Sequence, residues 1–297
     1  MKILIIGSKG FIGSHLVRYF DKQHEVWQCD VVTDYTTPRY IQIDASNSDF
    51  NVVFEEHIYD VCVNCSGAAS VPESLKHPYR DFLLNTANVY ELLNAIHTHC
   101  PACKFINLSS AAVYGNPQTL PVIESASIAP MSPYGRHKAM AEAICKEFAE
   151  EFGVQTCSLR IFSAFGNGLR KQIFWDMNRK MTDTVEAMFF GTGDESRDFI
   201  HIQDIAQVVE LVIQNAAFKG ETINVANGEA ITIRDAVNLF ARLKGYKGQI
   251  VFNGTVREGD PRFWKADISI LKEWGYKQTV TLEQGLKSYI KWAEENA

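Results

Sequence analysis

The first thirteen residues decide the fold: Met1-Lys2-Ile3-Leu4-Ile5-Ile6-Gly7-Ser8-Lys9-Gly10-Phe11-Ile12-Gly13. The apolar run before Gly7 is too short for a signal peptide and predicts a buried strand. Glycines at 7, 10 and 13 predict a tight turn into a helix, where the main chain can approach a ligand closely. Because the N-terminus of such a helix attracts a pyrophosphate, the stretch predicts a dinucleotide site that includes Phe11 and Ile12.

A carboxylate after the second predicted strand supports this interpretation. Asp30 lies about twenty residues beyond the glycines, where it can accept hydrogen bonds from the adenosine ribose. Its charge would repel a 2′-phosphate, which favours NAD over NADP. The alternative is a structural glycine turn with a capping aspartate. Asp44 and Ala45 follow the third strand and are candidate contacts on the adenine side, although Asp44 could equally cap the next helix.

Short apolar runs alternate with helical patterns through the first half of the chain, which predicts a parallel sheet buried on both faces. The predicted strands are Ile3–Ile6, Val26–Cys29, Ile41–Ile43, Val61–Val63, Phe105–Leu108 and Cys157–Ile161. Beyond about Gly166 the alternation weakens, with a last strand predicted at Thr222–Val225. Helices are predicted there at Leu169–Met181, Thr232–Leu243 and Leu282–Glu295.

We therefore expect an α/β fold: a doubly wound parallel sheet (Rossmann) with a smaller C-terminal substrate-binding lobe. The expected boundaries are residues 1–165 for the NAD-binding domain, rejoined by about 199–227, and 166–297 for the lobe. The lobe should lie across the carboxyl ends of the strands, because ligands of such sheets bind there.

Composition narrows the function class. The net charge of −6 and the pI near 5.8 give no sign of a nucleic-acid or membrane partner. No stretch reaches the roughly 18 apolar residues of a membrane span, and seven cysteines suit a reducing compartment, so we expect a soluble, cytoplasmic protein. The pairs Cys62/Cys65 and Cys100/Cys103 have zinc-like spacing. The first pair falls on a strand, where residues three apart point to opposite faces, so no metal is predicted.

A second motif carries chemistry. In Tyr134-Gly135-Arg136-His137-Lys138, the tyrosine and the lysine are four apart at the start of a helical pattern and share a face. An ammonium about 5 Å away is expected to lower the tyrosine pKa by roughly two units, which would allow Tyr134 to act as a base. This spacing is common by chance. Ser110 follows the fifth strand and could bond the reacting oxygen, or could simply cap a turn.

Taken together, the motifs resemble the extended short-chain dehydrogenase/reductases, and within them the nucleotide-sugar epimerases and dehydratases. The resemblance rests on Gly7–Gly13, Ser110–Gly115, Ser132–Lys138, Leu159–Phe162, Arg197–His201 and Arg257–Arg262. It implies a catalytic triad of Ser110, Tyr134 and Lys138. It also implies that Ser66, Gly67, Ala68, Asn85, Phe162, Tyr134 and Lys138 contact NAD, and that Ser110, Ser163, Arg197, Arg257 and Asp260 contact the substrate. The helices Tyr79–His97 and Tyr134–Phe152 resemble those that pair in the family's homodimers.

Two departures from the family pattern guide the choice of reaction. Ser163 stands where the family usually has an asparagine that helps to hold the substrate phosphates. Ala111 and Ala112 stand where 4,6-dehydratases have an Asp-Glu pair, and alanine cannot transfer protons. We therefore expect an NAD-dependent nucleotide-sugar epimerase, and the reaction that we favour is 4-epimerisation of a UDP-sugar. The alternative activity is that of a 4-keto-sugar nucleotide reductase, and a 4,6-dehydratase is less favoured. The non-enzymatic alternative is a nucleotide-sensing binding protein.

Overall fold

The computed structural model describes residues 1–44, 48–182, 184–255, 259 and 261–296. Its centre is a seven-stranded sheet in the order β11-β6-β5-β4-β1-β2-β3, and every pairing in it is parallel. The strands of this sheet are β1 (Lys2–Ile6), β2 (Glu25–Asp30), β3 (Tyr40–Gln42), β4 (Val61–Asn64), β5 (Lys104–Ser110), β6 (Thr156–Ile161) and β11 (Lys219–Val225). The order reverses direction between β1 and β4, which creates a crevice at the carboxyl ends of these two strands.

Helices cover both faces of the sheet, because its strands are apolar on both sides. The helices of the chain are α1 (Phe11–Phe20), α2 (Asn51–Phe54), α3 (Val71–Lys76), α4 (Pro78–Phe82), α5 (Asn88–His99), α6 (Pro133–Phe152), α7 (Gln172–Lys180), α8 (Ile202–Asn215), α9 (Ile233–Lys244), α10 (Ser269–Glu273) and α11 (Leu282–Glu295). The core on one face includes α1 and α8, and the core on the other includes α2, α5 and α6. The predicted fold class is confirmed.

The C-terminal part of the chain builds a third core from α7, α9 and α11. Its remaining strands form three two-stranded pairs: β7 (Ser163–Phe165) with β10 (Phe199–His201), β8 (Glu186–Phe189) with β13 (Gln249–Phe252), and β9 (Ser196–Arg197) with β12 (Ile231–Thr232). The strand predicted at Thr222–Val225 exists within β11 but is not the last, since β12 and β13 follow it. These later strands form through pairing with distant partners rather than through a local pattern.

Two helix predictions differ from the structure in detail. The helix predicted at Tyr79–His97 is a continuous run of α4, a π-helical segment at Leu83–Ala87, and α5. A π-helical turn inserts one residue and shifts the faces of the helix on either side. The helix predicted at Leu169–Met181 starts three residues later, because Gln172 has a left-handed φ of 65° at the first position of α7. Within the described ranges, the structure contains no helix with the length and hydropathy of a membrane span.

Candidate active site

A cavity of about 610 Å³ lies between the carboxyl ends of the central strands and the C-terminal lobe. The sheet side contributes Ile12, the Ser66–Ala68 turn, Ser110, Tyr134 and Lys138. The lobe side contributes α7, Ser163, Arg197 and Arg262. The volume is typical of a ligand pocket, and the lining combines apolar walls with a few polar groups.

The glycine turn has the geometry that a pyrophosphate site requires. Gly7 has a left-handed φ of +74°, and a Cβ there would lie 2.7 Å from the main-chain nitrogen of Ser66. A Cβ on Gly13 would lie 2.1 Å from the Gly7 carbonyl oxygen, so the first turn of α1 packs directly on the loop. Gly10 is the N-cap of α1 and adds no side chain that would satisfy the helix N–H groups. These groups are therefore available to an anion.

Asp30 ends β2, beside this turn. Its Oδ2 accepts a hydrogen bond of 2.8 Å from the main-chain N–H of Lys9, and its Oδ1 accepts one of 2.8 Å from Val31. Oδ1 also accepts a 3.3 Å bond from Val32, so of the roughly four acceptor positions of a carboxylate one remains for a ribose hydroxyl. Asp44 is exposed, and the N-cap of the next described helix, α2, is Phe50. Ala45 lies outside the described residues.

Asn85, expected to line the cofactor site, instead lies behind it. Its side chain is buried, and its Nδ2 donates a 3.1 Å hydrogen bond to the Ala68 carbonyl. A Cβ on Gly67 would lie 2.5 Å from the Asn85 Oδ1, so only glycine fits between the turn and this amide. Asn85 therefore holds the shape of the Ser66–Ala68 turn, while the turn itself and Phe162 line the cavity.

The catalytic candidates come together on the sheet side of the cavity. Tyr134 and Lys138 lie in the first turns of α6, and Ser110 ends β5. The Ser110 hydroxyl lies near enough to the Tyr134 phenol to lower its pKa. It accepts a 3.2 Å bond from the Ala112 N–H as the cap of a 3₁₀ turn, so the capping role of this serine is confirmed, and its bond to the reacting oxygen stays a prediction. The buried Lys138 ammonium donates a 2.8 Å bond to the Leu108 carbonyl.

The close approach of α6 to the 3₁₀ turn (Ala111–Tyr114) depends on the glycine after the tyrosine. A Cβ on Gly135 would lie 2.6 Å from the Ala112 carbonyl oxygen. Because this glycine separates Tyr134 from the rest of α6, the missing side chain allows the phenol to reach Ser110. The sequence signal for this role is the Tyr-Gly pair itself.

The pKa of Tyr134 is raised to about 12, chiefly because its burial disfavours the phenolate, while the bond from Ser110 lowers it and the charge of Asp81 raises it. The expected lowering by Lys138 was wrong for this arrangement: the ammonium is bonded to Leu108 and is not among the groups that act on the phenol. Burial lowers the pKa of Lys138 to about 8, against the opposing effect of Asp81.

Sequence patterns missed the buried pair behind these residues. His137 Nδ1 lies 2.6 Å from Asp81 Oδ2, and Asp81 is almost completely buried. Its Oδ1 is also buried and has no hydrogen-bond partner among the described residues. Asp81 belongs to α4 and His137 to α6, 56 positions apart, so no local motif could have indicated the contact.

On the lobe side, Ser163 and Arg197 line the cavity. The guanidinium of Arg197 stacks 5.5 Å from the Trp264 ring centroid and donates a 2.9 Å bond to the Ser196 carbonyl. Arg257 and Asp260 lie outside the described residues. Lys171, Arg179 and Arg262 also line the cavity and were not predicted as site residues, although Arg262 ends the Arg257–Arg262 motif. The described part of the chain contains no group of three or more His, Cys, Asp or Glu side chains suited to a metal.

Known proteins resemble the chain over its whole length. The uncharacterized UDP-glucose epimerase YtcB of Bacillus subtilis is 29% identical, across 98% of this chain and 98% of that protein. A UDP-N-acetylglucosamine 4-epimerase of Methanobrevibacter ruminantium, solved with UDP-N-acetylmuramic acid, superposes with a TM-score of 0.89 at 26% identity, covering 100% of this chain and 99% of the other. A UDP-glucuronic acid 4-epimerase of Bacillus cereus, solved with UDP-glucuronic acid and NAD, gives 0.90 at 25% identity and covers both chains fully. Residues 3–226 match the model of one family, and the chain belongs to it: the NAD dependent epimerase/dehydratase family.

Proposed function

We propose that the chain inverts C4 of a UDP-sugar through a transient 4-keto intermediate, with NAD as the cofactor. The observation that carries this proposal is the convergence of Ser110, Tyr134 and Lys138 on one wall of the cavity. The glycine turn and Asp30 fit the cofactor beside them. Bound NAD supplies a hydride acceptor that becomes the donor in the second half of the cycle, and its oxidised ring adds a positive charge to the site.

Tyr134 is the group that takes the proton from the C4 hydroxyl and returns it after the sugar turns. A phenol with a pKa near 12 ionises only with help, and two neighbours provide it. Ser110 lowers the pKa of the phenol and so favours its anion, and the positive charge of an oxidised nicotinamide ring would favour the same anion. Lys138, held on the Leu108 carbonyl, is also positioned to contact the cofactor ribose.

The nucleotide end of the substrate is assigned to the lobe. Arg197 has the planar fork that pairs with phosphate oxygens, and Arg257 is proposed to act with it. Ser163 and Asp260 complete the proposed contacts. The known structures with UDP-sugars support a UDP-linked substrate. In this division, residues 1–165 together with 199–227 form the NAD-binding unit, and the rest of 166–297 forms the substrate lobe.

The reductase alternative uses the same three side chains but releases the cofactor in each turnover. The dehydratase is disfavoured, since Ala111 and Ala112 offer no proton-transfer group at the position where that branch needs two. A pure nucleotide sensor has no use for Ser110, Tyr134 and Lys138 together on one wall of the cavity.

The test is proton NMR of the purified protein with UDP-, dTDP- and GDP-sugars in heavy water, without added cofactor. Inversion at C4 without deuterium uptake is the expected result for a self-contained epimerase. Deuterium at C5 or C6 would instead indicate a dehydratase, and reaction only after a reduced cofactor is supplied would indicate a reductase.

We further propose that two copies associate through α4, α5 and α6. These helices, with the π-helical segment between α4 and α5, carry exposed apolar side chains, namely Tyr79, Phe82, Leu83, Tyr90 and Met140. Because α4 and α5 both pack on α6, these side chains lie on neighbouring elements, which supports an interface there. We expect the wild-type protein to sediment as a dimer and the Tyr90→Glu variant to sediment as a monomer. A wild-type monomer at micromolar concentration would refute the proposal.

A cytoplasmic location is proposed from the seven free cysteines, because free thiols persist in a reducing compartment.

A further inference from the structure

Lys9 lies between Gly7 and Gly10 in the glycine turn and contacts two carboxylates. Its main-chain N–H donates a 2.8 Å bond to Asp30 Oδ2. Its ammonium lies 2.5 Å from Asp34 Oδ2 and 3.2 Å from Thr37 Oγ1, and it sits 4.8 Å above the centre of the Tyr40 ring. The backbone of Lys9 is therefore fixed at the residue proposed to bind the adenosine ribose, while its charge is held by the loop after β2.

This loop is organised to present Asp34. The Oδ1 of Asp34 accepts bonds of 2.8 Å from the Thr36 N–H and 3.0 Å from the Thr37 N–H. The Tyr40 hydroxyl donates to the Val32 carbonyl and closes the loop on the sheet side. The Lys9 and Asp34 side chains are 28% and 16% exposed, so the pair is partly shielded from water. The bond from Lys9 holds the pKa of the Asp34 carboxyl well below its usual range.

The arrangement decides the charge beside the adenosine ribose. Asp30 alone opposes a 2′-phosphate, which carries close to two negative charges at neutral pH. A free ammonium next to Asp30 would offset the repulsion between Asp30 and the phosphate, because it could pair with the phosphate or with Asp30 itself. Its flexible four-carbon stem gives it the reach to do either. The bond to Asp34 directs the ammonium elsewhere.

We propose that Asp34 determines cofactor specificity: its carboxylate holds the Lys9 ammonium away from the 2′ position, so that Asp30 can exclude NADP. This inference rests on the proposed function, since it requires the chain to bind a dinucleotide at the glycine turn. A purely structural role would leave the cofactor preference unchanged when the pair is broken.

The test compares wild type, Asp34→Asn and the double variant Lys9→Gln/Asp34→Asn. The amide oxygen of Asn can still accept the Thr36 and Thr37 N–H bonds, so the loop is preserved while the charge is removed. Asp34→Ser serves as a second variant, and Asp21→Asn, in an exposed ion pair with Arg39, is the matched control. Each protein is incubated with equimolar NAD and NADP until the bound ratio is constant. The retained cofactors are then separated and quantified.

We expect Asp34→Asn to raise the bound NADP-to-NAD ratio by about tenfold, the effect of one partly shielded charge pair, with Asp34→Ser in the same direction. The double variant should return close to the wild-type ratio, because it lacks the ammonium that Asp34→Asn releases. An unchanged ratio in both single Asp34 variants would overturn the inference. So would a gain that persists in the double variant, since loss of negative charge alone would then explain it. Wild-type protein that binds neither dinucleotide would instead overturn the proposed function.

Discussion

His137 of α6 and Asp81 of α4 form a largely buried pair, with Nδ1 and Oδ2 2.6 Å apart. His137 lies between Tyr134 and Lys138 in sequence. The charge of Asp81 raises the pKa of both, because a nearby anion disfavours the phenolate and favours the ammonium. The single buried carboxylate of Asp81 thus shifts the pKa values of two catalytic candidates upward.

The variant Asp81→Asn should therefore move the pH profile of kcat/KM downward. Removing the anion lowers the pKa of Tyr134, which brings its ionisation to lower pH, and lowers the pKa of Lys138, which brings its loss of charge to lower pH. We expect a shift of up to about one pH unit in both limbs. The control is Glu151→Gln at an exposed position of α6. A profile that stays in place or moves upward would contradict the assigned role of Asp81.

The variant Tyr134→Phe should retain the cofactor but lose turnover. It removes only the hydroxyl, and general base catalysis contributes about 10²-fold or more to rate. Bound cofactor is measured by absorbance and chromatography, and turnover by NMR. Tyr90→Phe, on the exposed face of α5, is the matched control and should behave as wild type. Activity near wild type in Tyr134→Phe would remove the tyrosine from the mechanism.

The variant Gly135→Ala should reduce kcat through position rather than chemistry. Its methyl group would meet the Ala112 carbonyl at 2.6 Å and push α6 away from the 3₁₀ turn that carries Ser110. A displacement near 1 Å at a catalytic contact costs about 10²-fold. Gly153→Ala, at the other end of α6, meets nothing within 4 Å and should lower stability slightly through its left-handed φ while preserving kcat. Equal kcat values for the two variants would argue against the packing explanation.

We expect the contributions of Arg160 and Glu142 to the free energy of unfolding to be strongly coupled. The two side chains are 4% and 5% exposed and lie 2.8 Å apart, and Arg160 also donates to the Tyr114 hydroxyl. Arg160→Met leaves a buried carboxylate unpaired, which should cost about 3–5 kcal/mol in urea unfolding. The double variant with Glu142→Leu should cost less than the single one. Arg234→Met breaks an exposed pair and should cost under about 1 kcal/mol. Additive effects of Arg160→Met and Glu142→Leu would count against coupling.

The sheet was predictable because strands that are buried on both faces have a recognisable sequence pattern. Ile3–Ile6 and Val61–Val63 read as uninterrupted apolar runs, and both are almost fully buried. The short strands of the lobe have no such apolar pattern. β9 and β12 have two residues each, too few for a period to be read, and they exist because the chain brings distant segments together.

The catalytic candidates were predictable for a similar reason: Tyr134 and Lys138 are neighbours on one helix turn. The charged groups that act on the catalytic candidates and beside Asp30 were not predictable, because their contacts join distant parts of the chain. Asp81 reaches His137 across 56 positions, and Asp34 reaches Lys9 across 25. The direction of the Tyr134 pKa was misjudged because sequence spacing gives the distance between charges but not the loss of water around them.

The position of β11 constrains how new specificities can be built on this scaffold. The chain leaves the sheet after β6, forms part of the lobe, and returns to pair with β6 before completing the lobe. A chimera with a single junction near residue 165 would therefore pair β6 with a foreign edge strand, and a truncation there would leave that edge bare and prone to aggregation. Exchange of the lobe between relatives requires three junctions, one after β6 and one on each side of β11, so that the edge strand stays with its own sheet.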